Sequence, residues 1–563
     1  MTVRLAPDPA VRRRLQAVAA GREPADTVLA GGAVLDVFTE EILEGWGLAL
    51  AAGRVAYAGP DAAERAGPET ELIDLAGDLV APGLIEGHTH LTRIGMAETV
   101  RLQLQAGVTT TVLEASELAY VTGLDGFKEY LAEAATMPGR VLVPVPPLVG
   151  LDPVHDARLA PAAEWVAMLD HPLVPGVGEV YWADLLRGHP RSEALIAGAL
   201  ERGLVVEGHG AGARPPVLNQ LAAAGFASDH EGISAEDTLE RLRLGYQTMA
   251  REGATRRDLE AIGELWQKGG VDLGRLSLVS DGIEPEELAG GSSLNRVVER
   301  ARELGLPLAR AVRLATRNAA ERLGLGRWLG GLGPGMLADL VVTPRGRFQP
   351  RLVLVGGRRP VVAEPRPYPE WMLSSMRLDR LNTALLSHPG RGRWRAIQLT
   401  SPTVTRELET DGEGALVLTA LDRIQGQRGF RGLLSGFGLQ GGAVALSSGW
   451  ESPCLVAAGD RPEDMAIALR RVADMQGGAA VAARGSVLAD WRAEVGGLHS
   501  QATASEVISR SAAVQGALRE LGCPWPNPLL SLETLTTPAI PFLRLSAEGY
   551  VRIKDGSPAG LDM

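Results

Sequence analysis

The motif with the clearest chemical potential is "LIEGHTHLTRIG", residues 84–95, in which His88 and His90 stand two apart at the end of an apolar run. Side chains along a β-strand alternate between its two faces, so residues two apart point to the same side. Two imidazoles on one side could share a metal ion, because neutral imidazole is a common ligand of divalent transition metals. Taken alone, the pair leaves a hydrogen-bonded structural role open.

Polar residues end several other apolar segments in the same way. Only nine histidines occur in the 563 residues and four of them hold such positions, which chance placement explains poorly. Imidazole and carboxylate ligands suit zinc, iron or manganese, and a ligand set drawn from several strands leaves positions open for water. The candidates are His88 and His90, Glu179 in "GVGEV", His209 in "VVEGHGAG", Asp229, His230 and Glu231 in "ASDHEG", and Asp281 in "LVSDG".

These residues need a scaffold that brings the strand ends together. Apolar, strand-like segments alternate with helical stretches between residues 78 and 281, which is typical of parallel strands. Eight strands are what a (β/α)8 TIM-type barrel requires, and chemistry in that fold lies at the C-terminal ends of the strands. The predicted strands are 78–88, 108–115, 140–149, 173–181, 203–209, 225–230, 245–252 and 275–281.

The segments on either side of the predicted barrel have a different residue pattern. Residues 27–80 and 331–361 contain glycines separated by short β-branched runs, which predicts a small β-sandwich built from two distant segments. We therefore expect an N-terminal helical extension at 1–26, a composite β-domain at 27–80 and 331–365, a barrel at 81–330 and a C-terminal α/β domain at 366–563.

The composition favours a small-molecule substrate as the partner. The formal net charge of -12 gives no general attraction to nucleic acid or to an anionic membrane. The first 18 residues lack the apolar core of a secretory signal, and no run reaches the roughly 18 apolar residues of a spanning helix. Cys454 and Cys523 form neither a disulfide framework nor a thiolate metal pattern. We expect a cytoplasmic protein without nucleic-acid or membrane partners.

Motifs of other catalytic scaffolds are missing from the sequence. The stretch "GLGRWLGG", residues 324–331, follows a predicted helix and has the wrong glycine spacing for a dinucleotide site. Neither a phosphate-binding GxxxxGK[ST] loop nor a GxSxG nucleophile turn occurs. The zinc pattern of cytidine-type deaminases is also missing, so a deaminase here would need another metal scaffold.

With these motifs in place, the chain resembles the amidohydrolase superfamily, and specifically the bacterial adenine deaminase family. The likeness covers nearly the whole chain and rests on "LVAPGLIEGHTH", "VGEV", "VVEGHGAG", "GFASDHEGISAEDTLERLRLGYQTMAREG", "ATRNAAERLGL", "GLGPGMLADLVV" and the C-terminal "LGCPWPNPLLSLETLTTPAIPFLRLSAEGYV". The resemblance implies a metal-dependent hydrolase that cleaves a carbon–nitrogen bond. In the family reaction, adenine and water give hypoxanthine and ammonia.

The resemblance also implies a role for each candidate residue. Asp281 would act as the general base, and Glu231 would carry a proton towards the leaving nitrogen. Two divalent ions, of zinc, manganese or iron, would be the cofactors, and the enzyme would be a homo-oligomer. The implied ligands are His88, His90 and Asp281 for one ion, His209 and His230 for the second, and Glu179 as the bridge between them.

Residues around the expected pocket depart from the family pattern. Arg93 follows the histidine pair where the family has an acidic, serine-containing stretch, "EASELAYV" replaces "DPHE", and Gly282 follows Asp281 where the family has a second aspartate. Arg93 would suit a carboxylate substrate or a structural ion pair, and Trp182 would stack on a flat ring or pack in the core. The candidate substrate contacts are Arg93, Glu114, Ser116, Glu117 and Trp182.

Two alternatives to adenine deamination stay open at this point. One is hydrolysis of a small non-peptide amide, such as an N-acyl amino acid or an aromatic amide. The other is a catalytically silent binding protein that kept the same fold.

Overall fold

The N-terminal segment forms one helix and seven short strands. The computed structural model describes residues 5–362, 365–378, 380–424, 426–540 and 542–563. Residues 1–4 of the expected extension, and residues 363–364 beside the expected boundary at 365, lie outside these ranges. The elements are α1 (Pro9–Ala19), β1 (Thr27–Ala30), β2 (Ala33–Asp36), β3 (Glu41–Glu44), β4 (Gly47–Ala51), β5 (Arg54–Gly59), a 3-10 helix (Ala62–Arg65), β6 (Glu71–Asp74) and β7 (Leu79–Pro82).

The central segment alternates strands and helices, as the sequence predicts. Seven of its eight strands lie within a predicted strand, whereas the predicted strand 78–88 covers both β7 and β8, and β8 ends one residue beyond it. Its elements are β8 (Leu84–Thr89), α2 (Met96–Gln105), β9 (Val108–Leu113), α3 (Ser116–Ala134), β10 (Arg140–Leu142), α4 (Pro153–Asp156), α5 (Ala162–Ala167), a 3-10 helix (Met168–Asp170), β11 (Gly176–Tyr181), α6 (Trp182–Leu186), α7 (Pro190–Glu201), β12 (Val205–His209), α8 (Pro215–Ala223), β13 (Ser228–Asp229), α9 (Ala235–Arg243), β14 (Gln247–Arg251), α10 (Leu259–Ile262), α11 (Glu264–Lys268), β15 (Leu276–Val279), α12 (Pro285–Ala289), α13 (Leu294–Glu303), α14 (Leu308–Leu314) and α15 (Arg317–Arg322).

The eight central strands form two parallel sheets whose outer edges meet. The strand orders are β10-β9-β8 and β11-β12-β13-β14-β15. At one edge Val145 and Val177 form a parallel bridge, and at the other the backbone N–H of Asp281 donates to the carbonyl of His88 at 3.2 Å. This arrangement is consistent with the expected (β/α)8 barrel, and it places the C-terminal ends of the strands at one mouth.

The helices around these strands are amphipathic, and α13 shows why they pack where they do. Leu294, Val297, Val298 and Ala301 recur at helical spacing and are buried in the apolar core beside β15. The arginines of the same helix occupy its other face and form ion pairs with glutamates. Burial of one apolar stripe therefore fixes the orientation of the helix.

Two strands that follow the central segment complete the β-sandwich. They are β16 (Leu340–Thr343) and β17 (Leu352–Leu354). β16 pairs antiparallel with β7, so the two distant segments share one sheet of order β17-β16-β7-β2-β3. The second sheet has the order β5-β4-β1-β6. Apolar side chains from both sheets, among them Leu29, Leu48, Val80 and Leu340, form the core between them.

The C-terminal segment is an α/β unit built on one eight-stranded sheet. Its elements are α16 (Glu370–Leu373), a 3-10 helix (Thr383–Leu386), β18 (Trp394–Leu399), β19 (Thr405–Thr410), β20 (Leu416–Asp422), β21 (Gly429–Ser435), β22 (Ala443–Leu446), β23 (Cys454–Gly459), α17 (Pro462–Asp474), β24 (Gly478–Ala483), β25 (Ser486–Arg492), α18 (Ala504–Glu520), α19 (Pro528–Glu533), a 3-10 helix (Thr534–Thr536), β26 (Leu543–Ser546), β27 (Gly549–Arg552) and β28 (Ser557–Ala559).

Both faces of this sheet are covered, which explains its nearly continuous apolar strands. The sheet order is β19-β18-β21-β20-β23-β22-β24-β25. Val417 and Leu455 pack on the side of α17, whereas Leu418 and Val456 pack on the side of α18 and α19. The strands β26, β27 and β28 form a small separate sheet.

The C-terminal unit docks on the mouth of the central strands through polar contacts. The backbone N–H of Gly95 donates to the carbonyl of Ser500 at 3.0 Å, and the side-chain amide of Asn527 donates to Glu284 at 2.9 Å. No helix in the described part of the chain is long and apolar enough to cross a membrane.

Candidate metal centre

The strand ends bring the six predicted ligands together. His88 lies in β8, Glu179 in β11 and His209 at the end of β12. His90 and His230 directly follow β8 and β13, and Asp281 comes two residues after the end of β15. Their ligand atoms form two groups, and within each group all atoms lie within 4.8 Å of one another. The groups are His88, His90, Glu179 and Asp281, and Glu179, His209 and His230, so Glu179 belongs to both.

In the first group, ring nitrogens face carboxylate oxygens at the separations of a coordination shell. Oδ1 of Asp281 lies 3.4 Å from Nε2 of His88 and 3.7 Å from Nε2 of His90. Oε1 of Glu179 lies 3.4 Å from Nε2 of His88. Ligands about 2.1 Å from an ion in tetrahedral geometry are about 3.4 Å apart. The buried Nε2 of His88 also has no hydrogen-bond partner among the described residues, which fits a ligand atom.

The second group is tighter and shares the carboxylate of the first. Oε1 of Glu179 lies 3.1 Å from Nδ1 of His209 and 3.0 Å from Nε2 of His230. These two ring nitrogens lie 3.1 Å from each other. Three ligand atoms thus converge on one point, and the carboxylate of Glu179 stands between the two groups.

Carboxylates behind the first two histidines orient their rings. Nδ1 of His88 lies 3.4 Å from Glu207 and 3.5 Å from Glu114, and Nδ1 of His90 lies 3.0 Å from Glu117. Such contacts on one ring nitrogen turn the other nitrogen towards an ion. His88, Glu114 and Glu207 form a third group that could hold a metal. Arg322, however, already pairs with Glu207.

The local sequence around His230 explains how Glu231 reaches the same centre. Oδ1 of Asp229 accepts the backbone N–H of Glu231 and the Nε–H of Arg241, both at 2.7 Å. This fixes the turn after the very short β13. The carboxylate of Glu231 then lies 3.4 Å from Nε2 of His230.

Arg251 at the end of β14 joins the two proposed catalytic carboxylates. Its guanidinium pairs with Glu231 and lies 3.3 Å from Oδ2 of Asp281. Burial alone would raise the pKa of both acids, but the charge of Arg251 outweighs it for Glu231 and holds that pKa at about 2. The close contact with His88, together with the charge of Arg251, holds the pKa of Asp281 well below its usual range. Both side chains are therefore ionised at neutral pH.

The five expected substrate contacts occupy different places. Glu114 and Glu117 lie behind the histidines, and the Ser116 hydroxyl is buried with no partner among the described residues. The indole N–H of Trp182 donates to the carbonyl of Ala211 at 2.9 Å, and Arg93 donates to Glu284 at 2.6 Å. Glu117 and Arg93 line a narrow cavity of about 70 Å³ that also reaches His90 and Asp281.

A larger cavity of about 280 Å³ opens directly on the candidate metal ligands. This is close to the lower end of the range for small-molecule pockets, about 300–1,000 Å³. The central segment supplies its polar floor, and the C-terminal unit supplies much of its wall. The wall residues from that unit are Thr403, Val404, Trp450, Glu451, Thr534, Ala539, Ile540 and Phe542.

Two kinds of site residue are missing from the sequence prediction. Arg251 ends an apolar strand in "TMAREG", so the rule that found the histidines would also have found it. Trp450 and Glu451 lie in the turn after β22, in "SSGWESP", far along the chain from the ligands. The Trp450 ring lies parallel to that of His90 with centroids 6.2 Å apart. No motif in the sequence indicates this contact.

The comparisons with known proteins agree with this geometry. The profile of the amidohydrolase family matches residues 192–362, and that of the adenine deaminase C-terminal domain matches residues 395–557. An adenine deaminase of Moorella thermoacetica is 34% identical over 577 residues, covering 96% of each chain. The adenine deaminase of Cenarchaeum symbiosum is 31% identical, covering 96% of this chain and 93% of its own. The adenine deaminase of a Ruegeria species is 32% identical, covering 97% and 96%. The chain belongs to the adenine deaminase family of the amidohydrolases.

Proposed function

We propose that the protein is a metal-dependent hydrolase that converts adenine and water into hypoxanthine and ammonia. The observation that carries this proposal is the carboxylate of Glu179, which lies between two groups of ligand atoms in a chain of the adenine deaminase family. A carboxylate shared by two cation sites reduces the repulsion between the cations. The arrangement therefore supports a dinuclear centre.

Each ion would have its own ligands. His88, His90 and Asp281 would hold one divalent ion and His209 and His230 the other, with Glu179 between them. Nitrogen and oxygen ligands accept zinc, manganese and iron(II). Ions at these positions would lower the pKa of water and stabilise negative charge that develops on the substrate.

Asp281 is placed to accept the proton of the attacking water. Its Oδ2 receives the hydroxyl hydrogen bond of Thr255 at 2.8 Å and the contact with Arg251, while Oδ1 faces the histidines. These contacts hold the carboxylate ionised and in one orientation, as a general base requires. Attack at C6 of adenine forms a carbon–oxygen bond, and the amino group must gain a proton before it leaves as ammonia.

Glu231 is placed to move that proton. Its carboxylate is ionised, lines the large cavity and is joined to Asp281 through Arg251. It can take up a proton near the ligands and deliver it to the leaving nitrogen. Arg251 acts as a positioning residue because it holds both carboxylates at a fixed separation.

A substrate screen tests the proposal. Protein loaded separately with zinc, manganese or iron(II) is given adenine, N-acyl amino acids and aromatic amides, and hypoxanthine, ammonia, free amine and acid are measured. We expect hypoxanthine and ammonia in equal amounts from adenine. Release of amine and acid without hypoxanthine would contradict the proposal in favour of an amidase. Protein that retains no divalent ion and turns over nothing would indicate a silent binding protein.

We also propose that the enzyme works as a cytoplasmic homo-oligomer on small molecules, without nucleic-acid or membrane partners. The net charge of -12 supports the absence of polyanionic partners. Light scattering of the purified protein measures the oligomeric state, and a monomer would contradict the proposed homo-oligomer.

A further inference from the structure

A buried carboxyl group from the C-terminal unit lines the cavity without a role in the metal centre. Glu451 is 3% exposed and lies in the turn between β22 and β23. Its backbone has a φ of 44°, a left-handed conformation that costs a non-glycine residue free energy. Strain of this kind persists only where the surroundings hold it, and it occurs often at ligand sites.

The surroundings do hold this turn. The backbone N–H of Trp450 donates to the carbonyl of Glu533 at 3.0 Å, and the hydroxyl of Thr536 donates to the carbonyl of Trp450 at 2.9 Å. The turn is therefore fixed to the end of α19 and to the 3-10 helix that follows. Glu451 is presented to the cavity from a rigid support.

The environment of Glu451 favours its neutral form. Among the described residues, no lysine, arginine or histidine forms an ion pair with it within 4.0 Å. Burial raises the pKa of this carboxyl group, and the nearby negative charge of Glu117 raises it further. A buried carboxyl group without a cation keeps its proton at neutral pH.

The hydrogen bonds at Glu451 show how its two oxygens are used. The backbone N–H of Ala539 donates to the hydroxyl oxygen of Thr537, so that hydroxyl has its own hydrogen free to donate to Oε2 of Glu451. Oε2 therefore behaves as the carbonyl oxygen of the acid. Tyr181, at the end of β11, also hydrogen-bonds with this carboxyl group through its hydroxyl. In the neutral acid, the protonated oxygen and the carbonyl oxygen form a donor and an acceptor side by side.

We propose that Glu451 is a specificity-determining residue that pairs, as a neutral carboxyl group, with the N3 and N9–H edge of the purine. This inference rests on the proposed function. C6 must face the metal ligands, and N1 and N7 flank C6, so N3 and N9 are the ring nitrogens farthest from the reacting carbon. N3 accepts the O–H of the acid and N9–H donates to its carbonyl oxygen. A site built for such pairing rejects analogues that lack either group.

Two substitutions at Glu451 separate pairing from charge. Glu451→Gln keeps one donor and one acceptor, so KM for adenine should stay within about threefold of the wild type. Glu451→Leu removes both, so KM should rise at least about tenfold while kcat changes by less than about threefold. The same two substitutions at Glu494 are the matched controls, because that carboxyl group is buried in the C-terminal unit outside the cavity wall and accepts the backbone N–H of Gln501. We expect both controls to behave as the wild type.

A second substrate locates the contact on the ring. 3-Deazaadenine lacks the N3 acceptor, and the ratio of kcat/KM for adenine to that for 3-deazaadenine should fall at least about tenfold in Glu451→Leu but not in Glu451→Gln. Metal content and thermal unfolding of each holoenzyme show whether it is folded, and Glu451→Ala replaces the leucine variant if that variant does not fold.

The outcomes distinguish this inference from the proposed function. An active wild type with an unchanged KM or an unchanged substrate ratio in Glu451→Leu overturns the inference alone. Equal losses in Glu451→Gln and Glu451→Leu overturn the neutral-acid pairing, because they would show that a negative charge is needed. A wild type that does not deaminate adenine overturns the proposed function, and the inference with it.

Discussion

At the scale of single residues, Asp281 combines a left-handed backbone conformation with two proposed roles, as a metal ligand and as the general base. Its φ of 60° lies in the left-handed region, and its side chain contacts histidine, arginine and threonine partners at once. Aspartate and asparagine tolerate this conformation better than most residues, because their short polar side chains form local hydrogen bonds. The position therefore accepts few substitutions without loss of the backbone geometry.

Asp281→Asn tests the role of the carboxylate separately from the fold. Asparagine keeps the left-handed backbone but cannot take up the proton of water. We expect kcat for adenine to fall at least about a hundredfold, with a thermal midpoint below that of the wild type only to the extent that the variant binds less metal. Asp272→Asn is the control, because Asp272 lies exposed on the surface, where it accepts the backbone N–H of Gly274. Near-normal turnover in Asp281→Asn would remove this residue from the proton transfer.

The candidate ligands could be predicted for two reasons. Side chains alternate along a strand, and histidine is rare in this chain, so histidines at several strand ends stand out. His88 and His90 lie two apart at the end of one strand, and the remaining candidates lie at the ends of other parallel strands, so the fold brings them together. The partner of Arg93 could not be predicted, since Glu284 lies 191 positions away and no periodicity relates the two. Which of the candidates act in catalysis stays a prediction.

At the scale of elements, α3 carries a buried acid that links the central strands to the C-terminal unit. Glu133 accepts the hydroxyl hydrogen bond of Tyr368, and Arg366 lies near enough to act on it by its charge. Burial outweighs both and raises the pKa of Glu133 to about 7. The link is therefore sensitive to pH.

Glu133→Gln should stabilise the protein most at alkaline pH. In the unfolded chain this acid ionises near 4.5, whereas in the folded protein it keeps its proton up to about pH 7. The folded state therefore binds more protons between these values, and the contribution of Glu133 to stability declines by about 3 kcal/mol as pH rises through them. We expect the thermal midpoint of the variant, relative to wild type, to be higher at pH 8 than at pH 5. Glu129→Gln, on the same helix and paired with the same arginine, is the matched control for the loss of a carboxyl group at this place.

The existence of the central strands was predictable, but their lengths were not. β13 is only Ser228–Asp229 within the predicted strand 225–230, because the chain turns there on the side chain of Asp229. Helix α9 ends at Arg243, since Gly245 adopts a φ of 86° and reverses the chain into β14. Local side-chain contacts and left-handed glycines set these limits, and hydrophobic periodicity does not report them.

At the scale of the whole molecule, the candidate metal centre gathers buried acids and histidines at the base of the cavity. Glu114, Glu179, Glu207 and Asp281 are all buried around His88. Divalent cations among these groups would offset the repulsion between the carboxylates. Metal binding should therefore contribute to the stability of the folded chain as well as to turnover.

Removal of the ions tests this coupling. Treatment with a strong chelator should abolish adenine deamination and lower the thermal midpoint, since each ion present at a hundredfold excess over its Kd adds about 2.7 kcal/mol. Addition of zinc or manganese should restore both, with about two ions bound per chain by elemental analysis. Glu179→Ala should bind fewer ions and respond less to the chelator. If the chelator changed neither the thermal midpoint nor the activity of the wild type, the centre would hold no exchangeable metal.

The place of the C-terminal unit was beyond the reach of the sequence. The composition of residues 366–563 predicts an α/β unit, and the structure has one, but no pattern indicates that Trp450 and Phe542 line the same cavity as His209. Such contacts depend on how two separately packed cores dock against each other. The hydrophobic pattern within each core does not predict that docking. The domain boundaries at 26, 80, 330 and 365 stay predictions.

The division of labour across this cavity has an evolutionary consequence. The candidate metal ligands lie between residues 88 and 281, whereas residues 403–542 supply much of the cavity wall. Substitutions in the wall can therefore change which molecules enter the cavity while the candidate metal ligands are kept. Relatives can then differ in substrate while they keep the same way of activating water.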